Sequence, residues 1–169
     1  TLGAQCMSWQ TSPAATELEA RVMEWLRAML ALPEKMTGVI QDTASTSTLT
    51  ALICAREKAT GWNFSRQGAA ALSGKSARLM VYASSEAHSS VDKGVILAGY
   101  GRNNLRRVPV DEQFAMDPEA LASMVEEDLA QGCTPTAVVA TVGTTGTPSI
   151  CSSLATSMLI PLCLVSSQN

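Results

Sequence analysis

The chain has 169 residues, enough to bury one hydrophobic core and therefore to form about one domain. Its formal net charge of -3 argues against nucleic acid and against an acidic membrane surface as partners. Hydrophobic residues make up 46% of the chain, which argues against extensive disorder, and no apolar run is long enough to cross a bilayer. Five scattered cysteines and a single histidine favour reduced thiols in the cytoplasm over a disulfide framework or a metal site.

The first predicted element is a helix that begins at Ser12-Pro13. The serine hydroxyl is the expected cap, proline fits the first helical position, and Pro33 lies just beyond the expected end. Apolar residues at helical spacing predict one buried stripe along this helix, formed by Leu18, Val22, Trp25, Leu26 and Met29.

A short strand, a second helix and a loop are predicted next. Residues 38–40 form a short apolar strand, and residues 44–60 form a helix that ends before Gly61. Residues 66–76 are small, polar and glycine-containing, which is typical of a loop. The helix is expected to bury Leu49, Leu52 and Ile53.

The second half of the chain alternates between strands and helices. Residues 78–83, 105–110 and 136–142 are apolar runs of strand length. Between them, we expect a helix over residues 89–99 and a longer one that begins at Asp117-Pro118. This alternation predicts crossover units and a mainly parallel sheet, hence an α/β fold.

The last nineteen residues, 151–169, differ from the rest because they carry no charged side chain. They show neither clear helical nor clear strand periodicity, and Pro161 interrupts their longest apolar run. A buried strand, an irregular element and a non-native end produced by truncation or a reading-frame change are all compatible with this segment.

Three polar turns follow predicted strands. Thr43-Ala44-Ser45 lies where a helix begins, so it is either an ordinary cap or a place where free N–H groups and the helix dipole hold a phosphate. His88 is either a structural or exposed residue, or a flat ring that stacks on a planar ligand. Gly143-Thr144-Thr145-Gly146 allows close backbone approach and offers two hydroxyls. Ligands of open α/β sheets bind beyond the carboxyl ends of strands, so these turns are expected to converge on one pocket.

Four sequence blocks occur together, in order, over about residues 3–148. They are Cys6-Met7-Ser8-Trp9 with Ser12-Pro13-Ala14-Ala15-Thr16-Glu17-Leu18-Glu19, then Gly38-Val39-Ile40-Gln41-Asp42-Thr43-Ala44-Ser45, then Tyr82-Ala83-Ser84-Ser85-Glu86-Ala87-His88-Ser89-Ser90, then Val139-Ala140-Thr141-Val142-Gly143-Thr144-Thr145-Gly146. In content and spacing these blocks resemble the group II pyridoxal-phosphate-dependent amino-acid decarboxylases. The resemblance is greatest to the aromatic-L-amino-acid decarboxylases.

The resemblance implies both a fold and an activity. Residues 1–148 would form part of the large domain of a fold-type I, aspartate-aminotransferase-like enzyme, and residues 149–169 a divergent, non-native tail. The implied activity is the decarboxylation of an L-amino acid, expected to be aromatic, to the amine and carbon dioxide. The implied coenzyme is pyridoxal 5'-phosphate, and the implied assembly is a cytoplasmic homodimer.

The resemblance also implies roles for individual residues. His88 would stack over the pyridine ring of the coenzyme and act in catalysis, and Thr145 would lie near that ring and its anchoring carboxylate. Position 42, often glycine in animal members, is aspartate here and puts a negative charge near the phosphate. The residues implied to bind phosphate are Thr43, Ala44 and Ser45, and those implied to line the substrate pocket of the partner subunit are Gln5 and Met7.

Two motifs of the family are missing from this chain. In the family, a lysine in an Asn-Pro-His-Lys turn holds the coenzyme as a Schiff base, and the aspartate of a His-Val-Asp-Ala-Ala strand contacts its ring nitrogen. Neither motif occurs, and the chain departs from the family near Ser149. We therefore expect the chain as written to be inactive; the alternative function is a non-catalytic fragment with at most weak coenzyme binding or dimerisation. The lysines present lie in other contexts: Lys35, Lys58, Lys75 and Lys93.

A nucleotide-binding loop is the remaining alternative, suggested by Ser73-Gly74-Lys75-Ser76. The spacing does not fit, because Gly68 and Gly74 enclose five residues where the motif requires four. No predicted strand precedes the segment, so the sequence disfavours this interpretation.

Overall fold

The computed structural model describes residues 8–72 and 78–139, and the backbone alone of residues 162–166. Its main helices and strands follow in chain order: α1 (Pro13–Met29), β1 (Met36–Ile40), α2 (Ala44–Ala59), α3 (Phe64–Gln67), β2 (Leu79–Ser84), α4 (Ser90–Leu97), β3 (Leu105–Val108), α5 (Pro118–Ala130), β4 (Thr134–Val139) and β5 (Leu162–Ser166). Two 3-10 turns, Gly68–Leu72 and Arg102–Asn104, precede β2 and β3.

A three-stranded parallel sheet lies at the centre, in the order β3-β2-β4. Ala83 of β2 pairs with Arg107 of β3 on one side and with Val139 of β4 on the other. Helix α4 connects β2 to its parallel neighbour β3, and the chain reaches β4, on the other side of β2, through β3 and α5. Both parallel pairs are therefore joined by connections that contain a helix. The predicted α/β fold with crossover helices is confirmed.

The two faces of the sheet carry separate hydrophobic clusters, because successive side chains of β2 point to opposite faces. All six residues of β2 are buried, which explains why its sequence is continuously apolar. Leu79, Val81 and Ala83 pack with residues of α2 and α4, while Met80 and Tyr82 pack with residues of α5 and β3. Burial of each large apolar side chain stabilises the fold by about 1.5–3 kcal/mol.

Strand β1 does not join the parallel sheet, unlike the other strands of the alternating pattern. It pairs antiparallel with β5 in a two-stranded sheet, with Met36 opposite Ser166 and Ile40 opposite Leu162. The described structure pairs β1 with β5 and not with β2, β3 or β4. Strand β5 agrees with the strand alternative for the tail, and the division at residue 148 stays a prediction.

The predicted buried stripe of α1 is wrong for three of its residues. Leu18 is 62% exposed, Trp25 58% and Met29 79%, and only Met23 of this helix is buried. The reason is that α1 packs against β1 and not against the central sheet. The expected Ser12 cap is also wrong, since its hydroxyl makes no capping bond and its carbonyl accepts from the Thr16 hydroxyl at 2.9 Å.

The predicted loop over residues 66–76 is partly helical, because α3 and the 3-10 turn Gly68–Leu72 occupy its first half. Two residues near the end of α2 hold this segment. The Glu57 carboxylate accepts from the Ser65 amide at 3.2 Å, and the Arg56 guanidinium lies 3.6 Å from the centre of the Phe64 ring. These contacts join residues eight positions apart, a spacing that no helix or strand periodicity indicates.

Other helix boundaries agree with the sequence. Asp117 caps α5, and its carboxylate accepts from the amides of Glu119 and Ala120 at 2.9 and 3.1 Å. Gly61 follows α2 with a φ of +60°, which glycine adopts readily. Within the described ranges, none of the helices has the length and apolar character needed to cross a membrane.

Candidate functional site

The N-terminus of α2 presents free hydrogen-bond donors. The Thr43 hydroxyl caps the helix by accepting from the Thr46 amide at 3.1 Å, and the Asp42 carboxylate accepts from the Thr43 amide at 2.9 Å. Among the described residues, no acceptor contacts the amides of Ala44 and Ser45, and residues 43–45 are exposed. Two free amides at the positive end of a 16-residue helix are suited to bind an anion.

A buried hydroxyl lies one turn further along the same helix. Ser47 is fully buried, and its Oγ has no hydrogen-bond partner in the part of the chain that the structure describes. A buried polar group without a partner is costly, so this end of α2 has unused hydrogen-bonding capacity.

His88 is exposed and lies in the turn between β2 and α4. The Ser90 amide donates to its Nδ1 at 3.1 Å, and the Ser90 hydroxyl lies 3.0 Å from the same nitrogen. An Nδ1 that accepts a hydrogen bond belongs to a neutral imidazole with its proton on Nε2. The ring is therefore held by the first residue of α4, and its exposed faces are available for stacking.

Helices α2 and α4 pack side by side and run in the same direction. A Cβ placed on Gly94 would lie 3.1 Å from Leu52 Cδ1 and 3.7 Å from Thr48 Cγ2. Further along both helices, the Arg56 guanidinium donates to the Ala98 carbonyl. Because the contacts advance together along the two helices, their N-termini lie at the same end, which is also the end where β2 leads into α4. The convergence of Ser45 and His88 on one pocket stays a prediction.

Parallel pairing places the ends of β2, β3 and β4 at one edge of the sheet, the edge at which His88 follows β2. The third predicted turn follows β4, but Thr145 lies outside the described residues, as do Gln5, Met7 and the Ser73-Gly74-Lys75-Ser76 segment. Their predicted roles rest on the sequence alone.

Arg107, which the sequence analysis did not single out, contacts the His88 turn and pairs with Asp92 of α4. Arg107 of β3 donates from Nη1 to the Ser84 carbonyl at 2.9 Å and from Nη2 to the Asp92 carboxylate at 2.5 Å. The sequence feature that could have identified Arg107 is the pair Arg106-Arg107 within a predicted strand. Half-buried guanidinium groups require hydrogen-bond acceptors nearby.

Three of the four lysines lie within the described residues, and all three are exposed. Lys58 is in the last turn of α2, at the end opposite Thr43, while Lys93 lies within α4 and Lys35 just before β1. Lys75 is outside the described ranges. None of the three occupies the N-terminal edge of α2.

The two tyrosines are buried and keep their protons near neutral pH. Burial raises the pKa of Tyr82, and the hydrogen bond that it donates to Asp128 at 2.8 Å raises it further. Burial likewise raises the pKa of Tyr100, whose hydroxyl donates to the Leu52 carbonyl at 2.9 Å. Both hydroxyls therefore act as hydrogen-bond donors inside the two hydrophobic clusters. The described residues also contain no cluster of metal ligands.

Known proteins are similar to this chain in sequence and in fold. The pyridoxal-dependent decarboxylase conserved domain matches residues 1–153. Histidine decarboxylase of Mus musculus is 41% identical over 165 residues, and the match covers 92% of this chain and 24% of that enzyme. Aromatic-L-amino-acid decarboxylase of Bos taurus is 42% identical over 152 residues, covering 85% of this chain and 31% of that enzyme.

A solved structure gives the same result. The crystal structure of Catharanthus roseus tryptophan decarboxylase in complex with L-tryptophan superposes with a TM-score of 0.71 at 39% identity, covering 84% of this chain and 30% of that one. The chain thus spans about a quarter to a third of the length of these relatives. By its sequence and its α/β architecture, the chain belongs to the group II pyridoxal-phosphate-dependent decarboxylases, which are enzymes of fold-type I.

Proposed function

We propose that this chain supplies part of the coenzyme site of a pyridoxal-phosphate-dependent decarboxylase that converts an aromatic L-amino acid to its amine and carbon dioxide. The observation that carries the proposal is the pair of free amides at Ala44 and Ser45. They lie at the same end of the packed helices α2 and α4 as His88. The relatives support an aromatic substrate, because their names specify histidine, tryptophan or aromatic amino acids.

The residues present fit the coenzyme. The amides of Ala44 and Ser45 and the hydroxyl of Ser45 would bind the phosphate. The positive end of the α2 dipole also favours the negative charge of the phosphate. The neutral ring of His88 would stack on the pyridine ring with its orientation held by Ser90. By family resemblance, Thr145 would lie beside that ring, and Gln5 and Met7 would line the substrate pocket of a partner subunit.

The coenzyme supplies an electron sink for the pair of electrons left when carbon dioxide departs. The described residues would bind the coenzyme and orient its ring. The α2 N-terminus fixes one end of the planar group through hydrogen bonds, and His88 restricts rotation of the ring about that anchor. His88 keeps Nε2–H as a donor, since Nδ1 is occupied by the Ser90 amide.

A homodimer is part of the proposal. Leu18, Trp25 and Met29 form an exposed apolar face on α1, and Trp9, shortly before this helix, is 55% exposed. Contiguous exposed apolar surface is typical of protein–protein interfaces. Sedimentation of the full-length enzyme as a stable, active monomer would overturn this part of the proposal.

The proposed location is the cytoplasm, without membrane or nucleic-acid partners. The free thiols of Cys54 and Cys133 and the net charge of -3 are in keeping with this location.

Pyridoxamine 5'-phosphate tests the binding site, since it lacks the aldehyde and cannot bond covalently to any lysine. We expect the 169-residue chain to bind it with higher affinity than pyridoxamine, which lacks the phosphate. Ser45→Ala should weaken binding about tenfold, the effect of losing one charge-assisted hydrogen bond. Ser65→Ala, at an exposed serine within α3, is the control and should leave affinity unchanged. Equal affinity for the two ligands would overturn the phosphate site.

The alternative function, a non-catalytic fragment, has a separate test. We propose that the 169-residue chain does not decarboxylate by itself, because none of its lysines lies in the family's Asn-Pro-His-Lys context. The purified chain is incubated with pyridoxal phosphate and carboxyl-labelled aromatic amino acids, and carbon dioxide is trapped. Release at the rate of free coenzyme is expected. Faster release that His88→Ala abolishes would establish this chain as an active enzyme.

A further inference from the structure

We propose that Arg107 is a positioning residue that fixes the turn carrying His88, and thereby the orientation of the ring toward the coenzyme. The inference rests on the proposed function, in which His88 stacks on the pyridine ring. It adds a residue on a neighbouring strand that touches neither the ring nor the anion site.

The Arg107 guanidinium bridges the two ends of the turn. On one side of His88, Nη1 donates to the Ser84 carbonyl at 2.9 Å, with the Ala87 carbonyl at 3.5 Å. On the other side, Nη2 donates to the Asp92 carboxylate at 2.5 Å. One planar group therefore connects the last residue of β2 to the first turn of α4. The planar fork of arginine suits this task, because a lysine ammonium cannot offer the same rigid set of donors.

Three other hydrogen bonds hold the part of the turn that precedes His88. The Ser85 amide donates to the Val108 carbonyl of β3 at 2.8 Å, and the Ala87 amide donates to the Ser84 carbonyl at 3.0 Å. The Glu86 amide donates to the Ser84 hydroxyl at 3.1 Å. All three bonds lie before His88 in the chain. After His88, the Val91 amide donates to the His88 carbonyl at 3.0 Å within the start of α4. Among the hydrogen bonds of the described residues, the Asp92 contact of Arg107 links this later segment to the central sheet.

Arg106 provides a matched control. It is the adjacent residue of the same strand and carries the same charge, but its side chain points to the opposite face. Its guanidinium lies 2.9 Å from the Glu127 carboxylate and 3.6 Å from the Asp128 carboxylate, both on α5. Both of these contacts lie on α5, away from the His88 turn.

The histidine ring itself reports the outcome without any coenzyme. The chain has one histidine, so a histidine-labelled sample gives a single imidazole signal in nuclear magnetic resonance spectra. In the wild-type chain at alkaline pH, we expect the nitrogen shifts of a ring protonated on Nε2. Arg107→Gln and Asp92→Ala should move these shifts toward an average of the two tautomers, with Arg107→Lys in between, while Arg106→Gln leaves them unchanged.

Two results would overturn the inference at this step. One is an unchanged imidazole signal in Arg107→Gln, and the other is an equal change in Arg106→Gln, which would indicate general loosening of the sheet. If Arg107→Gln does not fold by circular dichroism, Asp92→Ala decides by the same criterion, since alanine has no acceptor for Nη2 and the substitution keeps the guanidinium.

Binding of pyridoxamine 5'-phosphate then distinguishes positioning from a merely structural role. Arg107→Gln should raise the dissociation constant about two- to tenfold, the range expected for one aromatic stacking contact. In a His88→Ala background the same substitution should have no effect, because the residue acts through the ring. An equal loss in both backgrounds would contradict positioning. A wild-type chain that binds no pyridoxamine 5'-phosphate would count against the proposed function, and the imidazole signal alone would then decide the role of Arg107.

Discussion

Asp42 places a carboxylate at the mouth of the proposed phosphate site. Its Oδ1 accepts from the Thr43 amide at 2.9 Å, so it occupies one donor at the N-terminus of α2 and adds a negative charge beside the others. The amides of Ala44 and Ser45 stay available to an incoming anion within the described part of the chain. The Asp42 carboxylate and a bound phosphate are both negative and would both interact with the positive end of the α2 dipole. This aspartate therefore stabilises the helix and weakens phosphate binding.

Asp42→Asn should therefore raise the affinity for pyridoxamine 5'-phosphate. Asparagine keeps an oxygen acceptor for the Thr43 amide and removes the charge, so the helix stays capped while repulsion of the phosphate disappears. A helix-terminus charge is worth roughly 0.3–1 kcal/mol, which corresponds to a gain of about two- to fivefold. Glu112→Gln changes the net charge equally at an exposed loop position and is the control. Unchanged or weaker binding by Asp42→Asn would contradict this account.

The buried tyrosines make stability depend on pH at the alkaline end. Burial raises the pKa of both Tyr82 and Tyr100 above the ordinary tyrosine value of about 10. The unfolded chain then loses these protons first, so the free energy of unfolding is at its full value below about pH 10 and falls as the pH rises further.

Urea denaturation across this pH range tests whether the free energy of unfolding falls as the pH rises. Because the chain has two tyrosines, the double variant Tyr82→Phe with Tyr100→Phe removes every phenol. We expect this variant to be less stable than the wild type at neutral pH, having lost two buried hydrogen bonds, and to lose less stability above about pH 10. Parallel stability curves for the two proteins would contradict the burial argument.

The element that positions the site is the contact between α2 and α4. Gly94 allows the two helices to approach closely, since a Cβ there would lie 3.1 Å from Leu52 Cδ1. Leu52 is 1% exposed and packs in the core beside the sheet, so it has little room to move. Close packing of this pair brings the two helix N-termini to one end of the molecule.

Gly94→Ala should lower the free energy of unfolding by about 1 kcal/mol, although alanine favours helices more than glycine does. The steric cost against Leu52 exceeds the gain in helix propensity. Combining it with Leu52→Ala should remove the cost of Gly94→Ala, because the clashing atom is gone. Chemical denaturation of the four chains measures the coupling. Stabilisation by Gly94→Ala alone would show that Leu52 moves aside freely.

Across the whole molecule, the sequence predicted those elements whose signals are local. Strand β2 is a continuous apolar run, the helix α5 starts at Asp117-Pro118, and the alternation of strands and helices indicated a parallel sheet. Residues 43–45 were predicted at a helix start for the same reason, and the Thr43 cap confirms that position.

The remaining features depend on contacts between distant parts of the chain. The apolar spacing of α1 predicted a buried stripe, but periodicity does not reveal which surface covers a face, and Trp25 and Met29 are exposed. Strand β1 pairs with a segment more than a hundred residues away in the sequence. The bridge made by Arg107 also joins separate elements, so it could be found only once β3 was placed beside β2.

The central claim is that the α2 N-terminus and the His88 turn form one coenzyme site. The most direct measurement is a titration of the isotopically labelled 169-residue chain with pyridoxamine 5'-phosphate, followed by nuclear magnetic resonance. We expect the amide signals of Ala44 and Ser45 and the ring signal of His88 to shift together, with one dissociation constant. Shifts at Ala44 and Ser45 without any at His88, or no saturable shift at either place, would contradict it.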